Sequence, residues 1–425
     1  MDDQVLTIAV PGLDDHNREV LERLPEADRY RFVPVLTIEE LQYGDEIPVL
    51  DLLEKAKIEL DRVGPVHGVI GFWDFPVSTM VPLLCEHAGT PGPSLDAVLR
   101  CEHKYWSRLE QREVIDEYPA FALVDPDVDD RPPEGVRFPM WVKPVKSFSS
   151  ALAFRVEDAD GFRDAVSRIS EDIGRVGEPF AELLAKVDLP REIADAGGRV
   201  CVAEEAVEGR QITLEGWVGD GPLHVLGAVD TVNRDDVPSQ DRFVYPSSVA
   251  DAVVERMSQV TDKIVRRVGL KHTTVNVEFF WNSDTDRLTV LEVNPRHSQS
   301  HAELFADVDG APNHRAMVRL ASGQAPEMPR REGEHAIAAK WFLRRMSDGV
   351  ARRVPTQEEI EEAERSVPGV TVDVIVDEGD RLSELPDQDS YSYKIANIYV
   401  GGSDPQELAD RYRRCTELLP FEFDE

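Results

Sequence analysis

The chain has 425 residues, 41% of them hydrophobic, and its 82 acidic against 47 basic side chains give a net charge of −35. Such a length exceeds one ordinary hydrophobic core, so two or three domains are expected, and so negative a surface makes nucleic acid and anionic membranes poor partners. No apolar run reaches the roughly eighteen residues of a membrane span, and the opening Met-Asp-Asp-Gln lacks the basic stretch of a secretion signal, so a cytoplasmic location is expected.

Strand signals at 5–10, 32–36 and 66–72 alternate with helical ones, the clearest being a charged amphipathic stretch at 49–62. This alternation argues for a parallel, Rossmann-like sheet. Pro11-Gly12-Leu13-Asp14 after the first strand is not the G-x-G-x-x-G of a dinucleotide site, so no NAD claim follows. Thr90-Pro-Gly-Pro-Ser94 closes this unit. A helix is predicted over 95–113 with Ser94 as N-cap, then an Asp- and Pro-rich surface loop over 125–137. A strand at 138–144, a turn at 147–151 and a returning strand at 152–156 form a hairpin with a polar tip. A helix at 158–173 has acidic residues in its first turn. Three strands follow, 200–203, 211–218 and 224–231, then a polar loop over 233–247 and a helix over 249–267. Strands at 274–281 and 288–293 are joined by an Asn-Ser-Asp-Thr-Asp turn. Beyond 330, short strands at 336–343, 370–376 and 392–399 surround a Glu-rich helix at 357–365, and a last helix runs over about 404–418. No internal repeat is visible.

The most informative segment is Leu-Thr-Val-Leu-Glu-Val-Asn-Pro-Arg at 288–296. Alternation brings Glu292, Asn294 and Arg296 to one face of a pleated strand. Hard oxygen donors at i and i+2 suit Mg²⁺, and an arginine two further on suits a phosphate or carboxylate. The plainer alternative is an edge strand whose polar face meets water. Glu278 lies fourteen positions before Glu292, about right for an antiparallel neighbour across a short turn. Two carboxylates and an amide would then converge, which is costly unless a cation sits between them, and Mg²⁺ bridging nucleotide phosphates is the most economical one.

Phosphates need positive charge, and lysine is scarce: ten against thirty-seven arginines. Three of the ten fall where they are useful, at Lys104, Lys143 and Lys146. Lys104 also reads as a solvated helix residue. Lys143, on an apolar strand before Pro144, points into a sheet and needs an anionic partner. An acidic, lysine-poor surface also fits a protein kept soluble at high salt, where self-repulsion is screened. A halophilic source is therefore expected, and the melting temperature should rise between low and molar salt. Cys85, Cys101, Cys201 and Cys415 show no C-x-x-C pair, so buried thiols are expected rather than zinc or disulfides.

On these residues the chain resembles the ATP-grasp superfamily, the carboxylate–amine and carboxylate–thiol ligases that include D-alanine–D-alanine ligase, biotin carboxylase and the L-amino-acid ligases. The matching features run in the family's order over about 85–325. They are Gly89-Thr-Pro-Gly-Pro-Ser94 before Lys104, Val142-Lys143-Pro144 with a Ser-rich loop, Ala203-Glu-Glu-Ala-Val-Glu-Gly209, Asn276-Val-Glu278 and Glu292-Val-Asn294-Pro-Arg296. The resemblance implies an α/β (α+β) ATP-grasp fold: a Rossmann-like pre-ATP-grasp domain at 1–95, the ATP-grasp domain at 96–328 with a hinge near 204–208, and a small C-terminal α+β domain at 329–425. It implies ATP and Mg²⁺ as cofactors, with Mn²⁺ as an alternative ion. Lys104 and Lys143 would contact the ATP phosphates, Lys143 also lying near the purine, with Lys146 and Ser149 in the phosphate-covering hairpin. The Glu205 carbonyl and Val207 N–H would read adenine, Glu204 would add a side-chain contact, and Gln211 would stand near the ribose. Glu278, Glu292 and Asn294 would hold Mg²⁺, while Arg296, with Lys143, would serve catalysis by steadying the transferred phosphoryl group or the acyl-phosphate. Two departures stand out. The loop Lys146-Ser-Phe-Ser-Ser-Ala151 lacks the family's glycines, and Gln211 replaces a ribose-binding Glu, although Gln still accepts from a hydroxyl.

The text from Ser390 to Gly402 is similar to the biotin carboxylase C-terminal domain, which makes a bicarbonate-using carboxylase the rival reading. Yet Ser300 stands where that resemblance requires the glutamate that deprotonates bicarbonate, and the L-amino-acid ligases share the same C-terminal plan. His297 and His301 at i, i+4 hint at a metal pair, but H-x-x-x-H without a catalytic Glu is a weak signature, and substrate-pocket or packing roles are preferred to zinc. Arg242 and Ser247-Ser248, in the polar loop, are candidates for binding a substrate carboxylate. A non-catalytic ATP-binding regulator is the second alternative. The expectation is an ATP- and Mg²⁺-dependent ligase that activates a small carboxylate, an amino acid or peptide, as an acyl-phosphate for attack by an amine. Its partners would be small-molecule carboxylate and amine substrates, and the resemblance makes a homodimer plausible.

Overall fold

The parallel sheet that opens the chain has β1 (Leu6–Pro11) between β2 (Tyr30–Val35) and β3 (Gly68–Val69). These features come from a computed structural model that describes residues 5–44, 46–147, 151–234, 237, 239–385, 388 and 391–424. The helix Val49–Val63 turns Leu52, Leu53, Ala56 and Leu60 to the core, as its periodicity requires. The strand expected at 66–72 is much shorter. Gly71 lies so close to the helix Val77–Ala88 that a Cβ there would fall 2.5 Å from Val81, and the chain past it carries Trp73 and Asp74 off the sheet.

The single helix predicted over 95–113 is two, Leu95–Glu102 and Lys104–Arg112. Ser94 caps the first through the Ala97 N–H, as expected. His103 breaks the run because its ring caps the second: Nδ1 accepts from the Trp106 N–H at 3.1 Å while Nε2 donates to the Gly197 carbonyl at 3.0 Å. Burial pushes the imidazole down to about 4, so it is neutral and can play both parts. As a result Lys104 is the first residue of a helix.

Strands β4 (Phe121–Val124), β5 (Met140–Pro144), β6 (Phe154–Val156) and β7 (Cys201–Glu205) form an antiparallel sheet in the order β4-β7-β5-β6. Between β6 and β7 lie the helix expected at 158–173, observed as Ala159–Asp172, and two helices given no element from sequence, Gly174–Leu184 and Arg191–Ala196. Glycine and proline in Gly-Arg-Val-Gly-Glu-Pro hide the periodicity of the former. Gly177 is needed there, because the Gly198 carbonyl oxygen lies 2.7 Å from where its Cβ would be.

The largest sheet has eight strands. β8 (Arg210–Val218), β9 (His224–Asn233), β10 (Gln240–Tyr245), β11 (Thr273–Asn282), β12 (Arg287–Asn294) and β13 (Ile337–Arg345) are followed by β14 (Val350–Arg353), β15 (Val370–Val374), β16 (Tyr393–Gly402) and β17 (Glu422–Asp424). The order is β12-β11-β8-β9-β10-β13-β16-β15, with β14 and β17 paired apart. The polar loop predicted over 233–247 is thus corrected: β10 lies inside it. Gln240, Asp241 and Arg242 disguise the strand, but it pairs on both sides and buries Phe243 and Tyr245. The sheet also runs without an edge across the boundary expected at 328/329.

One face of this sheet is covered by the helix Asp251–Val268, whose Met257, Val260 and Ile264 pack on Ile212, Leu214, Val277 and Phe279. The alternate residues of β8, β11 and β12 are polar and face the other way. All four cysteines are free and buried. Among the described residues no helix is long and apolar enough to cross a membrane.

Candidate functional site

The strand pair β11–β12 sets the site. Its register places Glu278 opposite Glu292 and Asn276 opposite Asn294. Phe279 pairs with Val290, so Leu291 is an extra residue, a bulge that turns Glu292 onto the polar face beside Glu278. Burial, and then the Glu292 charge, push Glu278 up to about 7. Burial also works against Glu292, but the Lys104 and Lys143 charges win and hold it low, with Lys104 Nζ 2.9 Å from its carboxylate. Gln211 Nε2 donates to Glu278 Oε2 at 2.9 Å, and Asn294 Nδ2 donates to Asn276 Oδ1 at 3.3 Å.

These donors fit Mg²⁺. Among the described residues no three His, Cys, Asp or Glu side chains form a ready cage. The set is two carboxylates and an amide, and burial, helped by the Glu292 charge, drives Glu278 toward protonation, which a divalent cation would relieve. Mg²⁺ needs only one or two protein carboxylates when phosphate oxygens and water complete its shell.

The cations form two buried networks. In one, Glu204 on β7 takes Lys143 Nζ and Arg108 Nε, each at 2.6 Å. Burial alone would raise its carboxyl; the Arg108 and Lys143 charges override that and hold it at about 2. Arg108 also donates to the Leu291 carbonyl at 2.6 Å, which ties its helix to the bulge. In the other network Asp74 joins Lys146 Nζ at 2.8 Å and Arg296 at 2.9 Å, while Glu102 is 3.0 Å from Lys146. Burial opposes ionisation of Asp74, yet those two cations keep its carboxyl far below the usual range.

Sequence reasoning missed Asp74, Glu102 and Arg108. For Asp74 a signal existed: Trp73-Asp74-Phe75 follows β3 at the carboxyl end of a parallel sheet, where open α/β sheets present their functional side chains. Arg108 carries no such signal.

The remaining expected residues are placed as follows. Glu205 closes β7, with its carboxylate on Arg137 at 2.6 Å and its N–H on the Ala120 carbonyl. Val207 lies half-buried just beyond it. Lys104 Nζ reaches the Ser147 carbonyl at 3.5 Å, and Ser149 lies outside the described residues. His297 and His301 take separate partners: His297 joins Thr274 Oγ1 and His314, whereas His301 Nδ1 sits on Glu215 at 2.8 Å. Arg242 requires correction. Alternation along β10 turns it away from the face carrying Phe243, so it stacks on Trp341 under the C-terminal helix instead of facing a substrate. Ser247 and Ser248 are bound to Asp230.

Residues 136–303 match the ATP-grasp domain family. Over 101 residues the chain is 32% identical to the carbamoyl phosphate synthase large chain of Beutenbergia cavernae, which is 23% of this chain and 9% of that one. The chain thus spans less than a fifth of the length of the curated relatives it matches. Among solved structures, the L-amino acid ligase from Bacillus licheniformis superposes with a TM-score of 0.71 at 16% identity, covering 99% of this chain and 100% of that one. Biotin carboxylase from Campylobacter jejuni gives a TM-score of 0.67 at 13% identity, with 99% and 93% covered. The segment 136–303 thus matches the ATP-grasp domain family, and the chain as a whole shares the fold of these two solved structures.

Proposed function

We propose that the protein is a ligase that uses ATP to activate a small carboxylate, an amino acid or peptide, for attack by an amine, releasing ADP and phosphate. The observation that supports this best is the pairing of Glu278 with Glu292 in register, flanked by Lys104 on one side and by Asn294 and Arg296 at the strand's end. Mg²⁺ held by Glu278, Glu292 and Asn294 would neutralise charge on the nucleotide phosphates. Lys104 and Lys143 bind phosphate oxygens, and Arg296 steadies the acyl-phosphate as the carboxylate oxygen takes the γ-phosphoryl group from ATP and ADP leaves. The amine then attacks the acyl carbon, loses a proton and expels phosphate. Catalysis of this kind is almost wholly positioning and charge stabilisation, for which a buried, cation-rich face is suited. The adenine is read by the Glu205 carbonyl and the Val207 N–H. Arg296 and Lys146 are neutralised together by Asp74 and Glu102, so an arriving carboxylate competes with Asp74 for both cations.

The test is ADP release across a panel of acid and amine pairs, with mass spectrometry of the products. Release that needs both partners and yields an amide is the expected result. Bound ATP without release for any pair favours a regulator, and release that depends on bicarbonate and biotin favours a carboxylase.

A further inference from the structure

Pro11-Gly12-Leu13-Asp14, at the carboxyl end of β1, is not a dinucleotide fingerprint, but its last residue starts a chain of contacts that ends beside Arg296. Asp14 is the N-cap of the helix Asp15–Glu22: its Oδ1 accepts from the Asn17 N–H at 2.9 Å and its Oδ2 from Asn17 Nδ2 at 2.7 Å. From Asn17 a line of buried side chains crosses to β11. Asn17 Oδ1 lies 2.9 Å from His314 Nε2, His314 Nδ1 lies 2.8 Å from His297 Nε2, and His297 Nδ1 lies 3.0 Å from Thr274 Oγ1.

The direction of every hydrogen bond in this line follows from its first member. A carboxylate only accepts, so Asn17 must turn its NH₂ to Asp14 and its carbonyl oxygen to His314. His314 therefore carries its proton on Nε2 and accepts at Nδ1. His297 must then donate from Nε2 and accept at Nδ1, where the Thr274 hydroxyl donates to it. The Thr274 oxygen keeps its lone pairs for the His297 N–H, which it takes at 3.0 Å. An imidazolium at either ring would donate from both nitrogens and reverse the line beyond it, so both rings have to be neutral.

Burial makes them so. Thr274, His297 and His314 are fully buried, and Phe72 stacks on the His314 ring with centres 4.9 Å apart, so water cannot stand in for a missing partner. Loss of solvent drives both imidazoles below their ordinary range, His314 to about 3. The far end of the line grips the segment that carries Arg296. His297 is fastened to Thr274 by its ring and by its N–H, on the same strand as Asn276 and Glu278. Its carbonyl accepts from Arg296 Nη1 at 3.2 Å, while Arg296 Nη2 meets Asp74 at 2.9 Å. A guanidinium braced in this way is aimed before any substrate arrives.

We infer that Asp14 is a positioning residue for Arg296: through Asn17, His314, His297 and Thr274 it imposes one arrangement of protons and so one aim of the guanidinium. Its effect on turnover rests on the ligase reading above, whereas the proton arrangement does not. The loop after β1, spent elsewhere on binding phosphate, here sets the orientation of a residue on a different sheet.

Two measurements test it on the full-length protein. In the first, nitrogen NMR of the histidine rings shows which nitrogen of His297 and His314 carries the proton, with His297→Gln and His314→Gln assigning the signals. Both rings should be protonated on Nε2 alone at neutral pH, and an Nδ1 proton on either overturns the line. In the second, Asp14→Asn is compared with the wild type. Asn caps a helix as well as Asp does, so a role confined to the cap predicts no change. An amide, however, donates as well as accepts, and both directions of the line become open. Nδ1-protonated rings should appear, the single Arg296 Nε–H signal should split or broaden, and kcat for ADP release should fall about tenfold with KM for ATP unmoved, the lower end for losing an outer partner that orients a working group. The exchanged pair Asp14→Asn with Asn17→Asp keeps an anion that His314 can donate to, and it should restore the Nε2 protons, the single arginine signal and most of kcat. A folded Asp14→Asn protein with wild-type kcat and an undivided arginine signal overturns the positioning role. If Asp14→Asn does not fold, Asn17→Leu, which cuts the line but leaves the backbone cap, should give the same fall and the same split signal, and wild-type behaviour there overturns the role. The arginine signal does not depend on turnover. Its splitting without ADP release from any acid and amine pair keeps the positioning role and removes the ligase reading; ADP release with an undivided signal does the reverse.

Discussion

Glu292→Gln is expected to lower kcat/KM for acid- and amine-dependent ADP release by about a thousandfold, the order lost when a charge-stabilising group is removed from a dry site. The substitution keeps the side chain's shape and its reach to Lys104 but removes the charge that faces Glu278. Two effects should appear together. Mg²⁺-dependent nucleotide binding weakens, and the Glu278 carboxyl, now facing a neutral amide, moves back toward its ordinary value because Glu292 no longer repels it. The ligand-free protein should melt somewhat lower than the wild type, because Lys104 loses its charged partner, a loss that the relieved repulsion on Glu278 only partly offsets. Steady-state kinetics with thermal melting check both halves. Activity within tenfold of the wild type would take Glu292 out of the metal site.

Arg108→Met should cost about 3 kcal/mol of stability, the lower end of the range for breaking a buried ion pair. Arg108 and Glu204 are 3% and 4% exposed, so water cannot replace the lost partner. The cost stays at the low end because Lys143 remains on Glu204, while Gln111 and the Leu291 carbonyl also lose a donor. Chemical unfolding of the variant beside the wild type measures the difference, and a loss below about 1 kcal/mol would show the network to be dispensable. The pH dependence has a defined sign. Glu204 is held at about 2 against an ordinary 4.5, so its contribution is complete above pH 4.5 and fades as pH falls toward 2. The gap between wild type and variant should therefore narrow across that interval.

The strand that carries Glu292 and Asn294 was legible because its polar residues recur within one short segment. The short turn showed that the two strands pair, but the register does not follow from counting alone: the bulge at Leu291 is what brings Glu292 and Asn294 onto the face of Glu278. The helices at 49–63 and 251–268 were equally plain, each with a stripe of apolar residues. What escaped depended on partners far along the chain. Asp74 meets Arg296 across 222 positions and Arg108 meets Glu204 across 96, and nothing in either neighbourhood announces the other. β10 was hidden because its first three residues are polar, although sheet pairing on both sides outweighs that local pattern. The helix break at His103 was invisible for a related reason: the ring caps the next helix only because the Gly197 carbonyl, 94 positions away, occupies its other nitrogen.

The eight-stranded sheet has a practical corollary for anyone dissecting the protein. β13 pairs with β10 from Arg242 to Tyr245, so cutting the chain after residue 328 would strip a neighbour from an interior strand and bare a row of unpaired N–H and C=O groups beside Phe243 and Tyr245. Such an edge recruits other chains. The residues after 328 are therefore a selvedge that stops the large sheet from fraying into aggregates, and a fragment lacking them should form insoluble material rather than a smaller folded protein.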